Sequence, residues 1–152
     1  MGEEVDDAAF VRLLVMETVM DELGAVSWPE ALRGPLLEVQ YQARMKGLRD
    51  NFPDASQEIL RVDGESAGWL VIARREAEIR LVDIAVSHSY RGRGLASRRI
   101  QELLAEADSV NKPVRLSVGV MNPAVRLYER LGFQRTGGDP VRHFMEWRPR
   151  ES

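Results

Sequence analysis

The chain has 152 residues, 44% hydrophobic and 30% charged, which is the composition of one soluble globular domain. Its formal net charge of −3 gives no bulk attraction for nucleic acids or anionic membranes, and the absence of cysteine excludes disulfides, thiolate catalysis and cysteine-ligated zinc. No apolar run is long enough to span a membrane and the acidic start does not resemble a signal peptide, so we expect a cytoplasmic protein.

The first third of the chain is predicted to form two helices that cover a sheet. Asp6 or Asp7 provides a cap for the first helix, and Gly24 provides its stop. The second helix has Pro35 in its first turn and ends before Pro53. Apolar residues recur at helical spacing in both segments, which predicts one buried face on each helix.

Three strands then follow as an antiparallel meander, at 57–62, 67–73 and 79–86. The Asp-Gly pair at 63–64 is typical of a hairpin turn between the first two strands. The third strand is apolar on both faces in its middle, which favours a central place in the sheet.

The rest of the chain alternates helices and strands. Two further helices are predicted, over 95–107 and from Asn122-Pro123 to Gly132. Three further strands are predicted, over 114–120, 133–136 and 141–147. Because a strand–helix–strand connection is right-handed, the strands at 79–86 and 114–120 should be parallel neighbours. We therefore expect a mixed α/β fold of the α+β type, forming a single domain over residues 1–152.

A glycine-rich turn, Arg91-Gly92-Arg93-Gly94, links the third strand to the helix that follows. A strand that enters a helix through such a turn presents free backbone amides at the positive end of the helix dipole, which is a site for a phosphate. The turn does not match a dinucleotide-binding fingerprint, because Ser97 occupies the position of the third glycine. It does not match a Walker loop either, because the Gly-Lys-Ser/Thr ending is absent. A purely structural turn with solvated arginines remains the alternative for this motif alone.

Two motifs together resemble the GNAT family of N-acetyltransferases. Arg91 to Ala96 resembles the family's (Gln/Arg)-x-x-Gly-x-(Gly/Ala) loop, and it is preceded by the usual Ile84-Ala85-Val86 strand end and Tyr90. Asn122 to Phe133 resembles the family's second signature, Asn-x-x-Ala-x-x-Leu-Tyr-x-x-x-Gly-Phe. Two motifs in the right order are more specific than either one, and the resemblance covers about residues 57–147.

The resemblance implies an acyl-CoA N-acyltransferase fold with helices on both faces of a mixed sheet whose two parallel strands splay apart. Acetyl-CoA would fill the gap, with its pantetheine arm along Ile84, Ala85 and Val86. Gly119 is consistent with a bulge or close approach on the other side of that gap. The pyrophosphate would bind the backbone of the loop and helix start, where the glycines allow close approach and the arginines add charge. The loop residues implied are Arg91, Gly92, Arg93, Gly94, Leu95, Ala96 and Ser97.

The second motif supplies a tyrosine and an asparagine. In the family the helix tyrosine, here Tyr128, lies near the thioester sulfur and protonates the leaving thiolate. Asn122 would cap its helix and contact the cofactor. Each has a structural alternative, because Asn122 is a good N-cap without any ligand and Tyr128 lies at helical spacing with Val125 and Leu131.

The resemblance implies direct transfer of the acetyl group to an amine, with a strand amide such as that of Val86 stabilising the oxyanion. Some family members use a strand glutamate as base, but the corresponding residue is Arg80. Glu78, Asp83 and water remain candidates for this role.

Strand alternation would place Asp83 opposite Arg80, Val82 and Ile84, where it makes only a structural hydrogen bond. His143, on the last predicted strand, has the features of a structural residue, and His88 is expected to be exposed. These two histidines have no metal-ligand spacing, so no metal is expected.

The chain departs from the family at its start, where a strand normally precedes the first helix. Only Gly2 to Val5 is available for it, so this edge strand is short or missing. An exposed sheet edge is usually paired or protected, which suggests a homodimer.

The acceptor is not identified by these motifs. It would be a small-molecule or peptide amine selected by the segments 25–35 and 137–142, with Trp28 and Tyr41 as possible lining residues. A catalytically inactive acyl-CoA-binding or interaction module is the alternative function. A nucleotide- or nucleic-acid-binding protein is disfavoured by the acidic chain.

Overall fold

The computed structural model describes residues 2–24 and 28–150. The four helices in this part of the chain are α1 (Gly2–Leu23), α2 (Glu30–Asn51), α3 (Leu95–Ser109) and α4 (Ala124–Arg130). The six strands are β1 (Ser56–Val62), β2 (Glu65–Arg74), β3 (Ile79–Val86), β4 (Val114–Gly119), β5 (Gln134–Gly138) and β6 (Arg142–Trp147). A short 3₁₀ turn, His88–Tyr90, follows β3. No helix within these ranges is long and apolar enough to cross a membrane.

The strands form one mixed sheet in the order β1-β2-β3-β4-β6-β5. All neighbouring pairs are antiparallel except β3 and β4, which are parallel as predicted. Their parallel pairing is short: only Ile79 pairs with Val114 and Arg80 with Arg115. Beyond these two pairs the strands separate, so the expected splay at the centre of the sheet is confirmed.

The core lies in two layers, one on each face of the sheet. On one face, β3 and β4 pack against α3 and α4, with Ile100 and Leu103 fully buried at the centre. On the other face, α1 and α2 pack on β2 and β3 around the buried Trp69. The predicted architecture, a mixed α/β fold with helices on both faces, is confirmed.

Both N-terminal helices begin earlier than the sequence suggested. The first begins at Gly2 rather than after a cap at Asp6 or Asp7. Residues 2–5 are therefore helical, and no strand precedes α1 in the described part of the chain. As predicted, α1 stops at Gly24, whose φ of +62° is left-handed.

The second helix begins at Glu30, so the expected start at Pro35 is wrong. The carbonyl of Pro29 accepts hydrogen bonds from Leu32 and Arg33, which closes a turn before the proline is reached. Pro35 then lies inside the helix and cannot donate to the carbonyl of residue 31. Because Pro35 is exposed, water can replace that missing donor.

A β-bulge in β3 changes which face several side chains occupy. Asp83 pairs with Val71 and Leu81 pairs with Ile72, which leaves Val82 without a partner. Val82 therefore packs on the α1/α2 face, and the next residue, Asp83, reaches α2 on that same face. The expected alternation of these two residues is wrong because the extra residue shifts the period by one. Ile84, on the α3/α4 face, does lie opposite Asp83 as predicted.

The expected bulge at Gly119 is absent. The pairing of β4 with β6 is continuous from Val114 to Gly119, and no described atom lies within 4 Å of a Cβ built on Gly119. The irregularity in the central pair of strands therefore lies on the β3 side of the gap.

Candidate active site

The gap between β3 and β4 is the central feature of the site. Ile84, Ala85 and Val86 lie in the separated half of β3 and pair on one side with residues of β2. Their other backbone edge faces the gap, where β4 is no longer paired to them. Such an edge can accept an extended ligand in the way a sheet accepts a further strand.

The glycine turn after β3 presents a run of free amides. Gly92 and Gly94 have φ of +77° and +75°, which only glycine adopts at little cost. No residue in the described ranges accepts a hydrogen bond from the six consecutive amides Gly92 to Ser97. These amides surround the start of α3, where the helix dipole also favours an anion.

The two arginines of the turn have different surroundings. Arg91 donates through Nε to the carbonyl of Val86 (3.0 Å) and through a terminal nitrogen to Asp21 (3.1 Å), and its amide donates to the carbonyl of His88. Arg93 lies over the ring of Tyr90, with 5.2 Å between the guanidinium carbon and the ring centroid. The Arg91 side chain is therefore held against α1 and its amide is bonded within the turn, and the expectation that it adds charge at the phosphates stays a prediction.

Two acidic residues of α1 hold the segment after β3. Glu17 accepts the backbone amide of His88 (2.9 Å), and Asp21 pairs with Nε2 of His88 (2.8 Å). Burial would raise the pKa of Asp21, but hydrogen bonds from His88 and Arg91 outweigh it and hold that pKa below its usual range. We call Glu17, Asp21, His88 and Arg91 the α1 clasp. No local sequence pattern indicates the α1 clasp, because its members on α1 and after β3 are about 70 residues apart.

Tyr128 is buried in the α3/α4 layer beside the gap. Its ring meets that of Phe133 edge-on, with 5.6 Å between the centroids. In residues 2–24 and 28–150 its hydroxyl has no hydrogen-bond partner. Burial, with a smaller contribution from the charge of Asp83, raises the pKa of Tyr128 well above its usual range. The hydroxyl is therefore a proton donor at any physiological pH.

Asn122 has the capping geometry that the sequence predicted. Its Oδ1 accepts the amide of Ala124 (2.9 Å) and its carbonyl accepts that of Val125. This fixes the start of α4 and so the place of Tyr128, which lies one turn further along the helix.

The candidate bases differ in position. Glu78 lies at the closed end of the gap, where its carboxylate accepts a hydrogen bond from Arg115 (3.0 Å). Six residues of extended chain separate it from Ile84, which is about 20 Å. Asp83 lies in the separated half of β3, and Arg44 of α2 donates two hydrogen bonds to it.

His143 lies on β6, where Nδ1 is buried and has no hydrogen-bond partner among the described residues. It pairs with Val118 across β4 and with Gly138 across β5. In the described ranges, no three histidine or acidic side chains are grouped so that they could hold a metal ion.

Solved structures with the same fold are numerous. The PaiA N-acetyltransferase of Thermoplasma acidophilum, solved with coenzyme A, is 14% identical over 95% of this chain and 94% of its own, with a TM-score of 0.69. The ribosomal-protein-S18-alanine N-acetyltransferase of Escherichia coli is 22% identical over 70% of this chain and 77% of its own, with a TM-score of 0.60. At these identities the likeness shows the fold alone.

A putative GNAT-family acetyltransferase of Bordetella pertussis is 28% identical over 92% of this chain and 90% of its own, with a TM-score of 0.54. No curated protein matches the sequence. The family described as "Acetyltransferase (GNAT) domain" matches residues 36–149, which include both motifs and every strand from β1 to β6. The chain therefore belongs to the GNAT family of N-acetyltransferases, enzymes that take their acetyl group from acetyl-CoA.

Proposed function

We propose that this enzyme transfers an acetyl group from acetyl-CoA directly to a primary amine of a small molecule or peptide, as a single domain working in the cytoplasm. One observation carries the proposal: six free amides, an unpaired strand edge and a buried protonated tyrosine surround one gap in the sheet. Each of these groups suits a different part of an acyl-CoA thioester.

The cofactor is proposed to follow the α3/α4 side of the gap. Its pantetheine arm carries two amide groups, which suit the edge of Ile84, Ala85 and Val86 that β4 leaves unpaired. Its pyrophosphate suits the amides of Gly92 to Ser97, with Arg93 nearby as a further positive charge. Arg91 is proposed to add charge near the same phosphates while its hydrogen bonds hold the turn, and Asn122 to contact the cofactor while it caps α4.

The transfer needs one bond to form and one to break. Acetyl-CoA supplies a thioester, and the neutral amine attacks its carbonyl carbon. The amide of Val86 is proposed to donate to the carbonyl oxygen as negative charge develops there. As the carbon–sulfur bond breaks, Tyr128 gives its proton to the sulfur and recovers one from solvent. The proton that the amine loses is proposed to go to water, because Glu78 lies about 20 Å away along the strand and both oxygens of Asp83 already accept hydrogen bonds from Arg44.

A homodimer is proposed from the free edge of β1. This strand is last in the sheet, and clefts of 340 and 390 Å³ lie on either side of it. An unpaired edge is stabilised by pairing with another strand, which a second copy can supply. Light scattering at high protein concentration tests this, and a clean monomer contradicts it.

Calorimetry with coenzyme A, acetyl-CoA and ATP tests the cofactor assignment. Binding of both CoA species without ATP is expected, whereas no CoA binding would rule out the proposed function. An acetylation screen over amines, amino acids, aminoglycosides, polyamines and peptide N-termini then separates an enzyme from an inactive CoA-binding module. The module predicts tight CoA binding and no acetylated product.

A further inference from the structure

Arg142, at the start of β6, reaches across β4 on the α1/α2 face of the sheet. Its Nε donates to the hydroxyl of Ser117 (2.6 Å), and a terminal nitrogen donates to the carbonyl of the same residue (2.8 Å). The Ser117 side chain lies on this face because side chains alternate along a strand and its neighbours, Leu116 and Val118, belong to the α3/α4 layer. The guanidinium is therefore held over β4, on the face opposite the proposed cofactor.

The guanidinium also lies at the gap, because the carbonyl that it binds faces that way. The amide of Val120 donates to the carbonyl of Val141, so these two residues form a hydrogen-bonded pair just beyond the ends of β4 and β6. Such pairs alternate along an antiparallel ladder, so the next one joins Val118 to His143, and Ser117 is not bonded to β6. The N–H and C=O of Ser117 therefore point to the other edge of β4, which borders the gap.

The backbone of Arg142 is fixed by the turn that precedes it. One carboxylate oxygen of Asp139 accepts the amides of Val141 (2.7 Å) and Arg142 (2.8 Å), and the amide of Asp139 donates to the carbonyl of Arg142 (2.9 Å). Because its backbone and its guanidinium are both held, Arg142 loses little further conformational freedom when it binds a ligand.

The charge of Arg142 is not offset by a bonded acid. On the β3 side of the gap, Asp83 is already paired with Arg44. Arg142 donates instead to a hydroxyl and a carbonyl, and no carboxylate in the described ranges accepts a hydrogen bond from its side chain. A guanidinium has five N–H donors, so three remain, and its free end can bind a carboxylate through two parallel hydrogen bonds.

An apolar side chain borders the guanidinium. Phe144 pairs with Ser117 across the two strands and shares the face of Arg142, which lies two residues earlier on β6. Phe144 is 46% exposed, so its ring can contact the methylene groups of a ligand whose charged end is bound by Arg142.

We infer that Arg142 binds a carboxylate of the acceptor, so that the enzyme acetylates amines that carry an acid group on the same short aliphatic chain. The inference rests on the proposed function and narrows its acceptor to amino acids. Ser117 is a positioning residue that holds the guanidinium. The carboxylate is unchanged by the reaction, in which amine and thioester give amide and thiol.

The separation of the two groups indicates the length of the acceptor. In the parallel register Ser117 is level with Val82, and the proposed oxyanion donor Val86 lies about 10 Å further along β3 when the bulge is allowed for. Part of this distance is covered by the contact between guanidinium and carboxylate. An amine and a carboxylate separated by three methylene groups, as in 4-aminobutanoate, span the rest.

A chemical-shift titration with 4-aminobutanoate, in the presence of coenzyme A, tests the inference independently of turnover. We expect shifts at the amides of residues 117–119 and 142–144, and weaker binding of the neutral analogue 4-aminobutanamide. Arg142→Gln should weaken 4-aminobutanoate binding by about ten-fold or more, because the carboxylate loses its charged partner. The matched control is Arg135→Gln, since Arg135 pairs with Met145 of the α3/α4 layer and so lies on the opposite face of the same hairpin.

Acetylation kinetics separate binding of the acceptor from a purely structural role of Arg142. For 4-aminobutanoate, Arg142→Gln should lower kcat/KM by about ten-fold or more, whereas for n-butylamine, which has no carboxylate, the change should stay within about two-fold. Arg142→Lys should retain part of the preference, because its ammonium keeps the charge but loses the fork. Ser117→Ala should raise KM for 4-aminobutanoate and leave kcat unchanged.

Equal losses for 4-aminobutanoate and n-butylamine in Arg142→Gln would mean a structural role and overturn the inference. Equal binding of 4-aminobutanoate to wild type and Arg142→Gln, or equal binding of 4-aminobutanamide, would overturn it as well. If neither amine is acetylated, the titration still decides whether Arg142 binds a carboxylate. Coenzyme A calorimetry on the same samples decides the proposed function separately.

Discussion

The two faces of the sheet present different kinds of chemical groups near the gap between β3 and β4. On the α3/α4 face the important groups are backbone amides and one buried tyrosine, all between residues 79 and 133. On the α1/α2 face they are charged side chains joined over long distances in sequence: Arg44 with Asp83, 39 residues apart, and Asp21 with Arg91, 70 residues apart. One face is therefore built by local conformation and the other by tertiary contacts.

We propose that this difference separates the two substrates, with the cofactor on the α3/α4 face. Backbone amides are present whatever the side chains are, so a face built from them suits a cofactor that does not change. Charged side chains change with single substitutions, so a face built from them suits an acceptor that differs between related enzymes. Variants on the α3/α4 face should therefore change catalysis and CoA affinity, whereas variants of the charged pairs on the α1/α2 face should mainly change local stability.

The largest effect is expected for Tyr128→Phe. Removing only the hydroxyl keeps the ring against Phe133 but removes the acid, so kcat should fall by about 100-fold or more. The coenzyme A dissociation constant should change by less than about two-fold. Steady-state kinetics and calorimetry measure the two quantities, and unchanged turnover would remove Tyr128 from its proposed role.

The pH profile of the wild-type enzyme provides a second check on Tyr128. Burial raises the pKa of this tyrosine above the usual 10.0, so its hydroxyl keeps its proton through the alkaline range. The rate should therefore show no alkaline decline from this group below pH 10. A decline that disappears in Tyr128→Phe would mean that the hydroxyl ionises more easily than its burial allows.

The α3/α4 face could be predicted from sequence because its signals are local. Gly92 and Gly94 indicate a turn and Asn122 indicates a helix start, and the structure has the turn and the helix start at these places. The parallel pairing of β3 with β4 followed from the handedness of one connection. These features need no knowledge of distant contacts.

Gly94→Ala is expected to have the next largest effect. The left-handed φ of +75° costs alanine about 1 kcal/mol, and relaxation of the turn would redirect the free amides. Coenzyme A affinity should fall by about ten-fold. Because nothing lies within 4 Å of a Cβ built at Gly94, the effect is conformational rather than a clash.

Gly64→Ala is the matched control for this variant. Gly64, in the β1–β2 turn, has a φ of +82° and is equally open around its Cβ. Urea unfolding should show a similar loss of stability for both variants, but calorimetry should show weaker CoA binding only for Gly94→Ala. Equal CoA affinity in the two variants would contradict a role for the turn in binding phosphate.

The α1/α2 face was predicted poorly because its features depend on contacts between segments that are far apart in the sequence. The bulge at Val82 has no local sequence signal, and it moved Asp83 onto the face of Val82. Because α2 starts at Glu30, the exposed Pro35 lies in the interior of the helix. Proline usually occupies the first turn of a helix, so the sequence pattern predicted a later start. The α1 clasp joins segments about 70 residues apart, and no periodicity within either segment indicates its partner.

The smallest effect is expected for Asp21→Asn, in the α1 clasp. The Asp21 side chain is 35% exposed, so solvent screens its pairs with His88 and Arg91, and the substitution should cost less than about 1 kcal/mol of unfolding free energy at pH 7. These pairs, outweighing burial, lower the folded-state pKa of Asp21 below 3.8, its usual value when unfolded. The stabilisation is therefore complete above that pH and lost as the pH falls through the folded-state pKa.

Denaturant unfolding at pH 7 and at decreasing pH measures this difference, and 1 M salt should reduce it because the charges are exposed. Glu17 also faces His88 and Arg91 and remains in the variant, so the clasp is weakened rather than removed. Coenzyme A affinity should stay within about two-fold of wild type, since the free amides of Gly92 to Ser97 are unaltered. A larger loss of affinity would show that α1, on the far face of the sheet, shapes the phosphate turn, and the two faces would then be coupled through Arg91.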